Sequence, residues 1–363
     1  MLANFSNRIL FSFFATLVLS TVLLAQSNPR ESLLILSKSD HTLAIVDPGT
    51  LKVLTRIPVG NDPHEVIAST DGTMAYVSNY GGGAFNTLAV VDLVAQKPLP
   101  AIDLGALRGP HGLDFAAGKV WFTAEAAKAI GSYDPTSNKV DWIFGTGQGR
   151  THMIYVAPDL TRIVTTNTSA GTVSIIEKSP ARTSASPPPG GPNPPQGTPA
   201  GARPPGPPSG PPGGDWNQTV VTVGNGSEGF DVSPDGKEIW VANAQDGTIS
   251  IIDFAAKKVT QTLAANVRGA NRLKFTPDGK LAFVSTLAGP DVVVFDAAAR
   301  REAKRIPVGH GAAGILMQPD GSRAFVACTP DNYVVAIDLG SLEVTAHIDA
   351  GQQPDGLAWA RQM

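Results

Sequence analysis

The sequence predicts an all-β protein that folds as a seven-bladed β-propeller with four-stranded blades. Three observations lead to this prediction. One pattern of short apolar runs recurs seven times, Asp-Gly turns interrupt the pattern, and the two ends of the chain complement each other. Repeats of about 40–45 residues built from short strands are typical of propeller blades.

The pattern has one equivalent position in every repeat. Consecutive equivalents are 47, 41, 76, 43, 42 and 42 residues apart, and the long step contains an insertion. We call these seven positions the inner ring, because the first strand of a blade begins near the propeller axis. The inner ring consists of His64, His111, His152, Glu228, Asn271, Ala313 and Asp355.

Each repeat predicts four strands. Asp-Gly pairs such as Asp71-Gly72 and Asp320-Gly321 favour a tight turn between the first two strands. The second strands are rich in β-branched and aromatic residues, as pleated, half-buried strands require. The third strand ends in an acid in all seven repeats, and we expect its carboxylate to accept backbone N–H groups of the next turn. These acids are Asp47, Asp92, Asp134, Glu177, Asp253, Asp296 and Asp338.

The two ends of the chain predict one composite blade. A single strand, Gly356–Trp359, follows the last inner-ring position. The N-terminal repeat has three strands, Leu33–Leu36, Leu43–Val46 and Val53–Val59, but no first strand. Pairing the terminal strands closes the ring and removes the exposed edges that an open sheet would present.

The second strands carry a motif that resembles the YVTN family of β-propeller repeat proteins. The motif reads Tyr76-Val77-Ser78-Asn79 in one repeat and Trp240-Val241-Ala242-Asn243 in another. A companion Pro-Asp-Gly turn begins at Pro234, Pro277 and Pro319. The resemblance covers nearly all of the chain after its N-terminal segment and implies the propeller fold. It implies no single activity, because the family is functionally mixed.

The length of the sequence accommodates one propeller domain, and its net charge argues against nucleic acid as a partner. Residues 28–178 and 215–363 supply about 43 residues for each of seven blades, so we predict a single propeller over residues 28–363. A net charge of −3 offers no electrostatic basis for binding nucleic acid. The only cysteine, Cys328, cannot form an intramolecular disulfide and is expected to be a buried, inert thiol.

The N-terminal segment, residues 1–27, has the features of a secretory signal peptide. An apolar stretch from Ile9 to Leu24 follows Arg8, and the small residues Ala25 and Ser27 come next. The sequence therefore predicts export to the periplasm or the exterior, and no integral membrane segment after cleavage. An uncleaved anchor is the alternative, although the stretch is short for a membrane span.

Residues 179–214 form a Pro- and Gly-rich insertion within one blade. Of these 36 residues, 14 are Pro and eight are Gly. Such a composition buries too little apolar surface to offset the entropy of ordering, so we predict a disordered loop between a third and a fourth strand. The alternative is a polyproline-type tether or ligand for a partner.

The inner ring supplies the candidate ligand-binding residues, which are His64, His111, His152, Glu228, Asn271 and Asp355. Neutral His with carboxylates suits a divalent metal ion, and the same set suits acid–base chemistry near neutral pH. Alternatively, the mouth of a propeller channel is wet, so polar residues there need no function. The other His residues, His41, His310 and His347, fall elsewhere in the repeat and are predicted to lie on the surface.

The second repeat after the composite blade resembles a blade of the virginiamycin B lyase family. The resemblance rests on Gly109-Pro110-His111-Gly112-Leu113 and on Val120-Trp121-Phe122-Thr123-Ala124-Glu125. It implies His111 as a general base and Glu125 as a divalent-metal ligand, with His111 beside that metal. The further metal carboxylate of the family, two residues before the His, is replaced here by Gly109.

These observations favour an exported binding or interaction platform whose ligand site lies at the mouth of the axial channel. The ligand would be a small molecule or a protein, and a divalent metal is the cofactor that the ring could hold. One alternative is a metal-assisted lyase or lactonase that uses the His residues of the ring. Another is a surface-layer or envelope structural protein in which the Pro-rich insertion makes the contact.

Overall fold

The protein is a seven-bladed β-propeller in a computed structural model that describes residue 1 and residues 30–179 and 216–363. Each blade is an antiparallel sheet of four strands. The single short helix of these residues is a 3-10 turn at Gly81–Gly83. The predicted all-β, seven-bladed architecture is therefore confirmed.

The strands are numbered in chain order and grouped by blade. Blade 1 holds β1 (Glu31–Ser37), β2 (Thr42–Asp47), β3 (Lys52–Pro58) and the last strand, β28 (Pro354–Arg361); blade 2 holds β4 (Pro63–Ala68), β5 (Met74–Asn79), β6 (Thr87–Asp92) and β7 (Lys97–Asp103); blade 3 holds β8 (Pro110–Ala116), β9 (Lys119–Ala124), β10 (Ala129–Asp134) and β11 (Lys139–Gly145). Blade 4 holds β12 (Thr151–Val156), β13 (Arg162–Asn167), β14 (Thr172–Lys178) and β15 (Trp216–Thr222); blade 5 holds β16 (Ser227–Val232), β17 (Glu238–Asn243), β18 (Thr248–Asp253) and β19 (Lys258–Leu263). Blade 6 holds β20 (Ala270–Phe275), β21 (Leu281–Thr286), β22 (Asp291–Asp296) and β23 (Arg301–Pro307); blade 7 holds β24 (Ala312–Met317), β25 (Arg323–Cys328), β26 (Tyr333–Asp338) and β27 (Glu343–Ile348).

The ring closes through the composite blade that the chain ends predict. Strand β28 pairs antiparallel with β1, with Leu33 opposite Trp359 and Ile35 opposite Leu357. This strand is longer than the expected Gly356–Trp359 and reaches Arg361. The closing sheet is therefore built from both ends of the chain, and no blade edge at the seam is left open.

The apolar core lies between neighbouring blades. Strands β1, β2 and their equivalents are buried on both faces, which explains their continuous apolar runs. Leu36 and Ile45 of blade 1 belong to the same cluster as Val77 of blade 2. The outermost strands alternate between exposed and half-buried residues because they have a neighbour on one side only.

The acids that end the third strands act mainly as turn caps. Asp47 Oδ1 accepts the backbone N–H of Thr50 at 2.7 Å, and five other blades repeat this bond at the equivalent Asp. The prediction is wrong at Glu177, whose carboxylate instead pairs with Lys257 of the next blade. The reason is local, since the 36-residue insertion replaces the tight turn that would supply the backbone N–H groups.

The two faces of the propeller differ in what they carry. We call the face where the innermost strands begin the ring face and the opposite one the turn face. The Asp-Gly turns lie on the turn face, where Gly72, Gly236, Gly279 and Gly321 all have positive φ, between 68° and 74°. In blade 4 the register pairs Thr151 with Asn167, but Lys178 with Trp216 at the far end. The Pro-rich insertion therefore leaves the blade at the turn face.

The structure also tests the predictions for the remaining His residues, for Cys328 and for membrane-spanning helices. His41, His310 and His347 are exposed, as expected. Cys328 is buried, and burial raises the pKa of its thiol to about 12, which keeps it protonated and inert. None of the described residues forms a helix long and apolar enough to span a membrane. The predicted signal peptide and most of the insertion fall outside the described residues and stay predictions.

Closure can be tested by deleting residues 355–363, which removes nearly all of β28. The unfolding midpoint should fall by more than about 10 °C, or the protein should aggregate, because β1 becomes an unpaired edge and the buried side chain of Leu357 is lost. The measurement is thermal unfolding followed by circular dichroism. Deletion of Gln362 and Met363 alone, beyond the strand, is the control. Equal midpoints for the long and short deletions would contradict closure by β28.

Candidate functional site

The inner ring lies at equivalent points of the seven innermost strands. Each member is the second residue of its strand, in β4, β8, β12, β16, β20, β24 and β28. All seven members line one pocket of about 430 Å³ on the ring face. The pocket also contains Lys38, Arg150, Arg272 and Leu287. The architecture therefore brings together residues that lie up to 317 positions apart in the sequence, as Lys38 and Asp355 do.

Two further sets of equivalent residues flank the inner ring. We call the residues two positions before it the entry positions; they are Asp62, Gly109, Arg150, Gly226, Gly269, Gly311 and Gln353, and all have positive φ. We call the residues directly after the second strands the exit positions; they are Lys38, Tyr80, Glu125, Thr168, Ala244, Leu287 and Thr329. In every blade, the backbone N–H of the exit residue donates to the carbonyl of the entry residue, over 2.8–3.2 Å.

Hydroxyl groups connect the ring from one blade to the next. Thr123 on β9 accepts the backbone N–H of Gly112 in its own blade at 2.9 Å and donates to the carbonyl of His152 in the next blade at 2.7 Å. Ser78 makes the same bridge to the carbonyl of His111. A Cβ on Gly112 would lie 2.6 Å from the carbonyl oxygen of His152, so only Gly permits this approach. These contacts hold the backbones of neighbouring ring residues in place.

The three His rings lie side by side across blades 2, 3 and 4. The ring centroids of His64 and His111 are 4.9 Å apart, and those of His111 and His152 are 3.9 Å apart. Tyr80 packs edge-on against His64 and His111. The three imidazoles thus form one continuous row of rings.

His152 lies between two carboxylates. Its Nδ1 contacts Glu125 Oε1, and its Nε2 lies 2.9 Å from Glu228 Oε1, although that pair lacks hydrogen-bond angles. Burial lowers the pKa of His152, but the two carboxylates outweigh burial and raise it. Conversely, burial raises the pKa of Glu228, but His152 and the nearby arginines outweigh it and lower the pKa to about 2. These three groups form a buried, charged set.

Glu125 is the most heavily bonded carboxylate of the pocket. Its Oε2 accepts the Tyr80 hydroxyl at 2.5 Å and Arg150 Nε at 3.3 Å. Burial raises the pKa of Glu125, but the bonds from His152 and Tyr80 outweigh it, so the net pKa is lowered. Burial and the Glu125 bond raise the pKa of the Tyr80 phenol to about 12. Glu125 is therefore a carboxylate, and Tyr80 a neutral donor, at neutral pH.

His111 differs from its neighbours because nothing compensates for its burial. It is 3% exposed, and its Nδ1 has no hydrogen-bond partner among the described residues. Burial, and then the charges of His152, His64 and the arginines, hold the pKa of His111 well below 6.5. Its imidazole is therefore neutral at physiological pH, with a ring nitrogen available to a ligand or a proton.

Further ion pairs surround the inner ring, and one of them spans the channel. Lys38 Nζ lies 3.1 Å from Asp355 Oδ2 within blade 1, and the same carboxylate lies 3.5 Å from His64 Nδ1 of the adjacent blade 2. Arg272 of blade 6 donates to Asn271 Oδ1 at 3.1 Å and pairs with Glu65 of blade 2, on the other side of the channel mouth.

Four members of the inner ring are more deeply buried than residues at a water-filled channel mouth would be. His111, His152, Asn271 and Asp355 are 1–9% exposed, whereas a wet channel mouth was the alternative explanation for polar residues there. Buried polar groups cost free energy unless they are paired, so this alternative does not account for the unpaired nitrogen of His111.

The sequence analysis missed Tyr80, Lys38 and Arg150 as members of the site. A signal was present for all three. Lys38 and Tyr80 occupy the exit position of their blades, as Glu125 does, and Arg150 occupies the entry position two residues before His152. Aligning every repeat position, rather than one, would have found them.

A divalent metal ion fits one part of the site. One ligand atom each from His111, Glu125 and His152 lies within 4.8 Å of the others, and two His with one Glu is a donor set that Zn²⁺ prefers. Five carboxylates surround the pocket, at Asp62, Glu65, Glu125, Glu228 and Asp355, against three Lys or Arg cations. A proton on His152 offsets part of this excess, and a divalent metal ion bound there would replace that proton and offset more. The carboxylate absent at position 109 has no room, since a Cβ there would lie 3.1 Å from Gly83 Cα.

Comparisons with known proteins show the fold and no family. No family model matches the chain, and no curated protein matches its sequence. A protein of unknown function from Desulfotomaculum acetoxidans is similar in structure, with 14% identity, a TM-score of 0.69, and coverage of 92% of this chain and 99% of that one. Two provisionally assigned 6-phosphogluconolactonases are also similar in structure. The one from Bacteroides uniformis is 16% identical with a TM-score of 0.68, and the match covers 91% of this chain and 99% of that one. The one from Bacteroides fragilis is 15% identical with a TM-score of 0.69, and the match covers 91% of this chain and 98% of that one.

The comparisons therefore place the chain among seven-bladed β-propellers. The resemblances to the YVTN and virginiamycin B lyase families stay predictions. This propeller carries a buried polar cluster at the ring face, supplied mainly by blades 2, 3 and 4.

Acid titration should reveal the ion pair between Asp62 and His64. Their contact, at 3.3 Å, lowers the pKa of Asp62 from 3.8 to about 2. A lowered folded-state pKa stabilises the fold above pH 3.8, and this contribution is lost as pH falls towards 2. After allowance for partial exposure, we expect Asp62→Asn to cost about 1 kcal/mol at pH 6 and almost nothing near pH 2. Thermal unfolding of both proteins from pH 6 to 2 measures this. A difference independent of pH would contradict the pairing. Asn tolerates the left-handed backbone at position 62, so the substitution adds little strain.

Proposed function

We propose that the chain is a small-molecule-binding propeller that holds a divalent metal ion at His111, Glu125 and His152. The observation that carries this proposal is the convergence of these three ligand-type side chains, two of which, His111 and His152, line the pocket, with a buried His111 nitrogen that lacks a partner among the described residues. When bound, the metal would act as a Lewis acid towards an oxygen atom of the ligand.

The protein's own residues prepare this site. Tyr80 and Arg150 hold the carboxylate of Glu125, and the Thr123 bridge holds the backbone of His152. Orientation of ligand side chains by such outer contacts is typical of metal sites and tunes their affinity. Burial excludes water from the imidazoles and keeps His111 neutral, as metal ligation requires.

Metal binding is tested with two isosteric variants, Glu125→Gln and His111→Gln. We expect the wild type to bind one Zn²⁺ or Mn²⁺ per chain, and each variant to bind at least about tenfold more weakly, because each removes one ligand. The measurements are metal analysis after dialysis and calorimetric titration. His310→Gln is the control, since that His is exposed and contacts only Asp331. Unfolding curves show whether the variants remain folded. Absence of metal binding by the wild type, or equal binding by all variants, would contradict the proposal.

A second candidate is catalysis, as a metal-assisted lyase or lactonase. The specific observation in its favour is that His111 is neutral and has a free ring nitrogen, as a general base requires. The structural likeness to provisional lactonases supports the fold only.

Catalysis is tested with simple γ- and δ-lactones and the metal-loaded protein. Lactone hydrolysis that His111→Gln reduces at least about 100-fold, at a metal concentration that saturates the variant, would favour an enzyme with His111 as its base, because general base catalysis contributes about 10²–10⁴-fold. Metal binding without turnover of any lactone would favour the binding platform. Glu125→Gln and His310→Gln serve as the metal-site variant and the control.

The envelope-protein alternative uses a different part of the molecule. Lys178 and Trp216, which flank the Pro-rich insertion, lie at the turn face, away from the pocket. A partner held by the insertion would therefore leave the ring face accessible. We propose that export, as the N-terminal sequence indicates, delivers the pocket to a ligand outside the cytoplasm.

A further inference from the structure

The backbone at the entry positions adopts a conformation that is uncommon for residues other than Gly. All seven have left-handed φ angles, and four of them are Gly, the residue that this conformation favours. The exceptions are Asp62, Arg150 and Gln353, with φ of 48°, 57° and 54°. An Arg in this conformation is disfavoured relative to Gly, so the side chain at position 150 is retained against a local cost. Strained residues of this kind cluster at functional sites.

Of the three Lys and Arg side chains around the pocket, Arg150 is the most exposed to solvent. Its side chain is 43% exposed, against 23% for Lys38 and 7% for Arg272. Lys38 is paired with Asp355, and Arg272 with Glu65 and Asn271. By contrast, the one hydrogen bond from the Arg150 guanidinium to the described residues runs from Nε to Glu125. A guanidinium carries five N–H donors, so most of them are available to a ligand.

The opposite side of the pocket carries an apolar stretch beside the polar side chains of Asn271, Arg272 and Thr329. Leu287, Gly311, Ala313 and Pro330, all from blades 6 and 7, form this stretch. Leu287 is 53% exposed, which is unusual for a large aliphatic side chain that lines a pocket. Ala313 is the single apolar member of the inner ring. A ligand that fills this pocket therefore meets a cation on one side and an apolar stretch on the other.

We propose that Arg150 binds the carboxylate of a small ligand whose apolar body packs against Leu287, Ala313 and Pro330. The inference rests on the proposed small-molecule function of this pocket and specifies its ligand class as an apolar monocarboxylate. The planar guanidinium matches a carboxylate in a two-bond arrangement that Lys cannot reproduce. Its Nε bond to Glu125 fixes the orientation of the fork.

Calorimetric titration with butanoate, hexanoate and octanoate tests the ligand class, with hexanamide as the neutral counterpart. We expect the wild type to bind at least one carboxylate and to bind hexanamide at least about tenfold more weakly, as loss of a charged hydrogen bond implies. Affinity should increase with chain length if the apolar stretch contributes. Failure of all three carboxylates to bind the wild type would overturn the proposal.

Arg150→Gly is the decisive variant, because Gly suits the backbone of that position. We expect its unfolding midpoint to equal or exceed that of the wild type, while carboxylate affinity falls at least about tenfold. Arg150→Lys should bind more weakly than the wild type despite its retained charge. Gln353→Gly is the matched control, since it changes the same backbone position outside the pocket lining. Unchanged carboxylate affinity in Arg150→Gly would overturn the role of this residue.

Separate titrations with Zn²⁺ distinguish this proposal from the proposed function. Arg150 is not a metal ligand but orients one, so Arg150→Gly should keep measurable Zn²⁺ binding, weakened less than in Glu125→Gln, while carboxylate binding is lost. If the wild type binds the carboxylate but no Zn²⁺, the metal site fails and the role of Arg150 stands. If it binds Zn²⁺ but no carboxylate, the ligand class fails and the metal site stands.

Discussion

The geometry of the site depends on one backbone hydrogen bond that all seven blades share. The residue after each second strand donates its N–H to the carbonyl of the residue two positions before the inner ring. Because that carbonyl belongs to a left-handed residue, the chain turns sharply into the innermost strand. The bond thereby places three side-chain positions per blade at the channel mouth. Each of the seven blades offers the same three positions, and the residue types at those positions decide which blades contribute polar side chains to the pocket.

Closure of the ring completes the pocket as well as the fold. Lys38 follows β1 and Asp355 begins β28, so the ion pair between them joins the two ends of the chain at the site. Asp355 also contacts His64 of blade 2. The same strand pairing that removes an exposed edge thus positions two of the charged groups around the pocket.

The imidazoles and most of the carboxylates of the site are concentrated on one side of the pocket, which suits recognition of a ligand with one polar and one apolar end. Blades 2, 3 and 4 contribute the His residues, Tyr80 and Glu125, whereas the small and apolar residues come from blades 6 and 7, beside Asn271, Arg272 and Thr329. Buried charges persist on the polar side because each is paired, except at His111, where the imidazole stays neutral instead. Lys178 and Trp216, which flank the Pro-rich insertion, lie at the turn face, at the far end of blade 4 from the pocket.

The sequence alone determined the number of blades, the composite closure and the inner-ring positions, because propeller blades repeat locally and each repeat carries its own turn and strand signals. His111 and Glu125 also stood out through a local motif. Only the tertiary structure decided which side chains meet. The pairing of His152 with Glu228, the pairing of Arg272 with Glu65 across the channel, and the roles of Tyr80 and Arg150 all join different blades. Such contacts depend on the curvature and packing of the whole ring, which no single repeat contains.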